Sequence, residues 1–90
     1  MKKTIITVVG KDKVGVIAKI CTYLSDHNVS IMDITQSIID SYFNMMMIVN
    51  TENIDLDFAV FAHQLVALGD DLGVEVRCQR SDIFDNMHRI

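Results

Sequence analysis

The chain has 90 residues, half of them hydrophobic, and a formal net charge of −4 at pH 7. So short a chain makes one domain that buries its core incompletely, which favours an oligomer interface for part of the apolar surface. The acidic balance argues against nucleic-acid binding, which needs a basic surface, and no apolar run approaches the ~20 residues of a membrane span.

The two cysteines, Cys21 and Cys78, are far apart in the sequence. Two isolated cysteines form no disulfide framework, so reduced thiols in a cytoplasmic protein are expected. Cys21 falls on a predicted core stripe, whereas Cys78 could be exposed. Neither has a neighbouring base that would indicate a nucleophile.

The first predicted elements are a strand and a helix. Residues 4–9 are all β-branched, which is typical of a strand with both faces largely covered. From Val16 the apolar period becomes helical and the stripe falls at Ile17, Ile20, Cys21 and Leu24. Asn28 stands where a helix would end in a left-handed residue.

The join between these elements runs from Gly10 to Gly15. Such a join directs the first free N–H groups of the helix, and the positive end of its dipole, at one point that suits a carboxylate. We expect Gly15 to permit a close backbone approach there. Asp12 has two open interpretations: a cap for the helix, or a carboxylate that pairs with the ammonium group of a ligand.

The rest of the chain predicts a hairpin, a helix and a strand. Residues 29–49 form the hairpin, with a turn at Asp40 and Ser41. Asn53 and Asp55 are N-cap candidates for the second helix, which ends between residues 69 and 73. Residues 74–80 alternate strictly between apolar and polar, as a strand with one wet face does.

The order βαββαβ predicts an α+β fold: a ferredoxin-like sandwich with both helices on one face of a four-stranded antiparallel sheet. Residues 1–80 form the single domain. Residues 81–90 have the pattern of a short C-terminal helix that docks on its own sheet or on a partner. Of the consecutive Met45, Met46 and Met47, two should fill the core and the third should lie on the opposite face.

Several functions hosted by this fold lack their required residues. An acylphosphatase needs an arginine in the first loop, a metal chaperone needs a Cys-x-x-Cys there, and a ferredoxin needs a cysteine set for its cluster. RNA binding needs stacking aromatics, but adjacent Tyr42 and Phe43 point to opposite faces. His27, His63 and His88 have no partners at metal-ligand spacing. We therefore predict no catalytic residue, no metal and no cofactor.

Taken together, the residues resemble the ACT domain, over about residues 3–80. The resemblance rests on the Gly10–Val16 turn, on Leu24, on 29–31 opening the second strand, and on 33–37 leading to 43–47. The last segment is similar to small free-standing ACT proteins akin to glycine-cleavage regulators.

The resemblance implies regulatory binding of a small molecule, usually an amino acid, at an interface between two domains, hence a homodimer. One wall of the implied ligand site comprises Gly10, Lys11, Asp12, Gly15, Val16 and Ile17, and the other comprises Ser30, Ile31 and Met32. Ser30 stands where the family often has a ligand-contacting asparagine, and keeps only a short polar group. A separate effector protein would receive the signal.

Two alternatives remain open. The same surfaces could close a homodimer without any ligand, as a pure assembly module. An acylphosphatase-like enzyme that uses Lys11 is a third possibility.

Overall fold

The computed structural model describes residues 2–11 and 15–80. Their elements, in chain order, are β1 (Lys3–Lys11), α1 (Val16–Asp26), β2 (Ser30–Ile39), β3 (Tyr42–Asn50), α2 (Phe58–Leu72) and β4 (Glu75–Arg80). The four strands form one sheet in the order β2-β3-β1-β4, and every neighbouring pair is antiparallel. The predicted ferredoxin-like βαββαβ sandwich is confirmed. The predicted C-terminal helix of residues 81–90 lies outside the described residues.

The core lies between one face of the sheet and the two helices. Strand residues alternate, so every second side chain of β1 and β3 is buried against Ile20, Leu24, Phe61 and Leu65 of the helices. Met45 and Met47 are buried in this core, whereas Met46 is 44% exposed on the opposite face. The sequence-based prediction for the three methionines is confirmed.

Turn and cap residues act as their chemistry predicts, with one exception. Asn28 ends α1 with φ +62°, and the β2–β3 turn has positive φ at both Asp40 and Ser41, the sign of a type I′ turn. The N-cap of α2 is Asp57, so the prediction of Asn53 or Asp55 was wrong by up to a turn. Asp55 is instead engaged with the end of α1.

Polar and aromatic contacts join the two helices. The ring Nδ1 of His27 lies 2.9 Å from Oδ1 of Asp55, just before α2. The Tyr23 hydroxyl donates to Oε1 of Gln64 at 2.6 Å, and its ring stacks on Phe61 with centroids 5.8 Å apart. These contacts fix the end of α1, and hence the start of β2, relative to α2.

Both cysteines are half-buried against the core. Burial raises the pKa of the Cys78 thiol to about 12. An exposed Cys78 was therefore the wrong expectation, because the side chain lies on the helix-covered face of β4. A thiol with this pKa is a poor nucleophile at neutral pH.

Candidate functional site

Gly10 ends the buried part of β1 and is tightly packed. A Cβ at this position would lie 2.6 Å from Cγ1 and 3.0 Å from Cβ of Val74. Val74 is itself buried, at the entry to β4. The absence of a side chain at Gly10 thus allows β1 and the α2–β4 connection to meet. Gly10 is required for packing, whatever its backbone contributes to a ligand.

Gly15 is the N-cap residue of α1, with φ +88°. Among the described residues a Cβ there would meet nothing within 4 Å, so the left-handed backbone explains the glycine, and a close backbone approach of a ligand stays a prediction. The Gly15 carbonyl accepts the first helical bond, from the N–H of Lys19 at 3.0 Å. Among the described residues no side chain caps this end. Asp12 lies outside the described residues, so both of its roles stay predictions.

The other residues of the first wall differ in what they can offer a ligand. Lys11 is exposed at the end of β1. The Val16 side chain is 2% exposed and belongs to the core, so only its backbone N–H could contact a ligand. Ile17 is half-buried and packs on the same core. Among the described residues, Lys11 and the first amides of α1 are the accessible groups at this end of the molecule, and they suit an anionic group.

The two predicted walls lie at opposite ends of the sheet within one chain. Gly10 is level with Phe43 and, across it, with Ile38 of β2. Ser30 pairs with Asn50 of β3, and Asn50 pairs with Lys3 of β1. Lys3 lies seven residues before Gly10 on the same strand. At ~3.4 Å per residue this places the walls roughly 24 Å apart along the strands. One chain therefore does not bring its own two walls together.

β2 is an edge strand in which all ten residues are exposed. Its large apolar side chains include Ile38 at 68% and Ile39 at 61% exposure. In a two-residue hairpin the residues that flank the turn form a hydrogen-bonded pair, and such pairs alternate along the ladder. The backbone groups of Ile34, Gln36 and Ile38 therefore point away from β3, toward any added strand.

Two features interrupt this edge near its start. A β-bulge at Met32 shifts the register between Ile31 and Asp33. The Asp33 carboxylate accepts the N–H of Ile34 at 2.9 Å, so one outward donor already has a partner. Bulges and charges are the usual protection of an edge strand. Beyond Ile34 the edge carries neither, so this protection is confined to the first half of β2.

A shallow cleft of about 600 Å³ adjoins the second wall, between the end of α1, the start of β2 and the loop before α2. It is lined by Cys21, Ser25, Asn28, Val29, Ser30, Ile31 and Asn53. Asn53 was interpreted from the sequence only as a helix cap. The structure places it in the cleft with Ser30, because residues 51–54 turn back after β3. Only the polarity of residues 50–57 hinted at this role.

Other kinds of site find little support in the described part of the chain. Residues 2–11 and 15–80 contain no group of three or more His, Cys, Asp or Glu side chains placed to hold a metal ion. Over the same ranges no helix has the length and apolar character needed to cross a membrane.

Comparison with known proteins agrees with this architecture. A UPF0237 protein from Bifidobacterium longum is 62% identical over 90 residues, which is the whole of both chains. An ACT domain protein from Streptococcus pneumoniae superposes with a TM-score of 0.82 at 37% identity, covering 93% of this chain and 94% of that one.

A proposed glycine cleavage system transcriptional repressor superposes with a TM-score of 0.74, covering 88% of this chain and 45% of that one. At 18% identity this likeness shows the fold alone. The sequence model of the ACT domain matches residues 2–79, nearly the whole chain. The chain belongs to the ACT domain family.

Proposed function

We propose that this protein is a cytoplasmic regulatory domain that binds a small metabolite, an amino acid, between two copies of the chain. The observation that carries the proposal is the exposed apolar edge of β2, whose outward backbone groups can pair with a second strand. Family membership and the absence of a predicted catalytic set support a role without catalysis. The signal passes to a separate effector protein.

Antiparallel pairing of the β2 strands of two copies would bring the first wall of one copy to the second wall of the other. A two-fold axis near the middle of β2 sets Ser30 of one copy level with the Ile39 end of the other. The start of α1 belongs to that same end of the sheet, because Gly10 is level with Ile38. Each dimer then has two equivalent sites, and each site takes one wall from each copy.

The chemistry of the two walls suits the two ends of an amino acid. The first amides of α1, with Lys11 and Asp12 close by in sequence, provide donors for a carboxylate and an acceptor for an ammonium group. On the second wall Ser30 provides a hydroxyl, and Asn53 provides the amide that Ser30 lacks. Ile31 and Met32 add apolar contact beside them.

Thermal unfolding with each of the twenty amino acids, at a fixed protein concentration, tests the proposal. A ligand that binds only the folded dimer adds about 2.7 kcal/mol at 100-fold its Kd. We expect one amino acid, or a few of similar side chain, to raise Tm in the native protein and much less in Asn53→Ala and Lys11→Glu. Asp71→Asn, an exposed change on α2, is the matched control and should behave as the native protein.

The competing function is a ligand-free assembly module, which the same apolar edge favours. Sedimentation equilibrium separates the two. A dimer whose Tm no amino acid shifts supports assembly alone and overturns the sensing proposal. A monomer at tens of micromolar concentration overturns both.

A further inference from the structure

The face of the sheet opposite the helices carries an apolar groove of about 550 Å³. Its lining is Ile5, Thr7, Val9, Met46, Glu75, Arg77 and Gln79. The apolar members form a stripe on β1 and β3, and the charged members follow β4 along one side. In the described part of the chain, the helices pack on the other face of the sheet.

We propose that residues 81–90 fold back as a helix and cover this groove on their own sheet. These ten residues follow β4 directly and lie outside the described residues. The ACT match ends at residue 79, so this segment is an addition to the family domain. The proposal is independent of any ligand and of pairing through β2.

The position and length of the segment match the groove. β4 ends at Arg80, which pairs with Thr4, so the chain leaves the sheet beside the Ile5 end of the groove. From Ile5 to Val9 the strand covers roughly 14 Å. A helix of ten residues is about 15 Å long, so it reaches from one end of the groove to the other.

The apolar pattern of the segment supplies a surface for the groove. Ile83, Phe84, Met87 and Ile90 share one side of a helix. A helix this short is marginal in water and needs a surface to pack on. Met46 is the adaptable apolar side chain exposed at the middle of the groove, and it would become buried.

The charges agree with the direction that the chain must take. A segment that reverses after Arg80 passes Arg77 first and Glu75 last, since β4 runs the opposite way. Its acidic residues, Asp82 and Asp85, come early, and Arg89 comes late. Carboxylates early and a cation late also suit the helix dipole. Arg77 and Glu75 now pair with each other at 3.1 Å in an exposed position, where each can take a further partner.

Methyl NMR of the full chain, with ¹³C-labelled methionine and a soluble gadolinium chelate, tests the proposal. In the native protein the chelate should raise the relaxation rate of the Met46 methyl only slightly, because the segment covers this group. Ile83→Asp with Phe84→Asp should uncover it and raise its paramagnetic relaxation several-fold. The Met45 and Met47 methyls on the core side are internal controls, and Asn86→Asp, off the apolar side of the segment, is the matched variant. Equal Met46 relaxation in all three proteins overturns the proposal.

Cross-linking identifies which sheet the segment covers. In a Cys21→Ala, Cys78→Ala background, Thr7→Cys with Met87→Cys should give a bismaleimide product that migrates as a monomer on a denaturing gel. Val66→Cys with Met87→Cys, which places the thiol on the outer side of α2, should give little product. A product of dimer size alone means that a second copy supplies the segment and overturns docking on the own sheet.

Discussion

At the scale of single residues, Gly10 of the candidate site packs against Val74 with no room for a side chain. We expect Gly10→Ala to destabilise the protein by about 1–3 kcal/mol, because its Cβ would overlap the Val74 side chain. Val74→Ala removes the nearest methyl group, so the double variant should lose less than the sum of the single losses. Urea unfolding of the four proteins measures this coupling. Additive losses would show that Gly10 is needed for another reason.

Cys78 gives the stability of the protein a defined dependence on pH. Because burial raises its pKa from 9.0 to about 12, the unfolded chain loses this proton first as the pH rises. The stabilising contribution is complete below pH 9 and is lost as the pH rises toward 12. We expect the free energy of unfolding to fall more steeply between pH 9 and 12 in the native protein than in Cys78→Ala.

Tyr23 makes the comparison with Cys78→Ala necessary. Burial, then the Asp55 carboxylate and then Cys78 raise the pKa of Tyr23, so it also titrates in the alkaline range. The difference between the two slopes reports on the thiol together with its smaller effect on the pKa of Tyr23. Parallel slopes would mean that Cys78 ionises alike in the folded and unfolded chains.

At the scale of elements, the proposed dimer depends on the edge of β2. Ile38→Lys should abolish or greatly weaken the dimer, because a charge on this edge blocks strand addition. It should leave the monomer folded, since Ile38 is already 68% exposed within one chain. Sedimentation and circular dichroism check the two halves of this prediction. Val66→Lys, on the outer side of α2 at 41% exposure, is the control and should stay dimeric.

The elements themselves could be predicted from the sequence because each rests on local chemistry. The spacing of apolar residues switches between the two-residue period of a strand and the 3.6-residue period of a helix. Asn28, Asp40 and Gly73 occupy positions of positive φ, which suit asparagine, aspartate and glycine. The N-cap of α2 could not be chosen among several acidic and amide residues. That choice depends on the His27–Asp55 contact, which joins residues 28 positions apart.

The candidate site was less predictable because its parts depend on three-dimensional neighbours. The sequence singled out Gly10 and Gly15 but not their different reasons, steric for one and conformational for the other. It named both walls without showing that they lie at opposite ends of the sheet. It missed Asn53, since nothing local relates that residue to Ser30. The exposure of the whole of β2 emerges only from the strand order.

At the scale of the whole molecule, the proposed site needs two chains, because its two walls lie at opposite ends of one sheet. In the proposed dimer, damage to either wall in every subunit disables both sites. We expect Lys11→Glu and Ser30→Arg each to abolish the ligand-induced rise in Tm, while both proteins still fold, since both side chains are exposed. Isothermal calorimetry of each variant checks the loss.

The same separation predicts that two variants that do not bind the ligand alone recover binding when they form hybrid dimers. When Lys11→Glu and Ser30→Arg chains are unfolded together and renatured as a mixture, half of the pairs should be hybrids. Each hybrid holds one undamaged site and one doubly damaged site, so about a quarter of the original binding capacity should return. A binding site contained within a single subunit would show no such complementation.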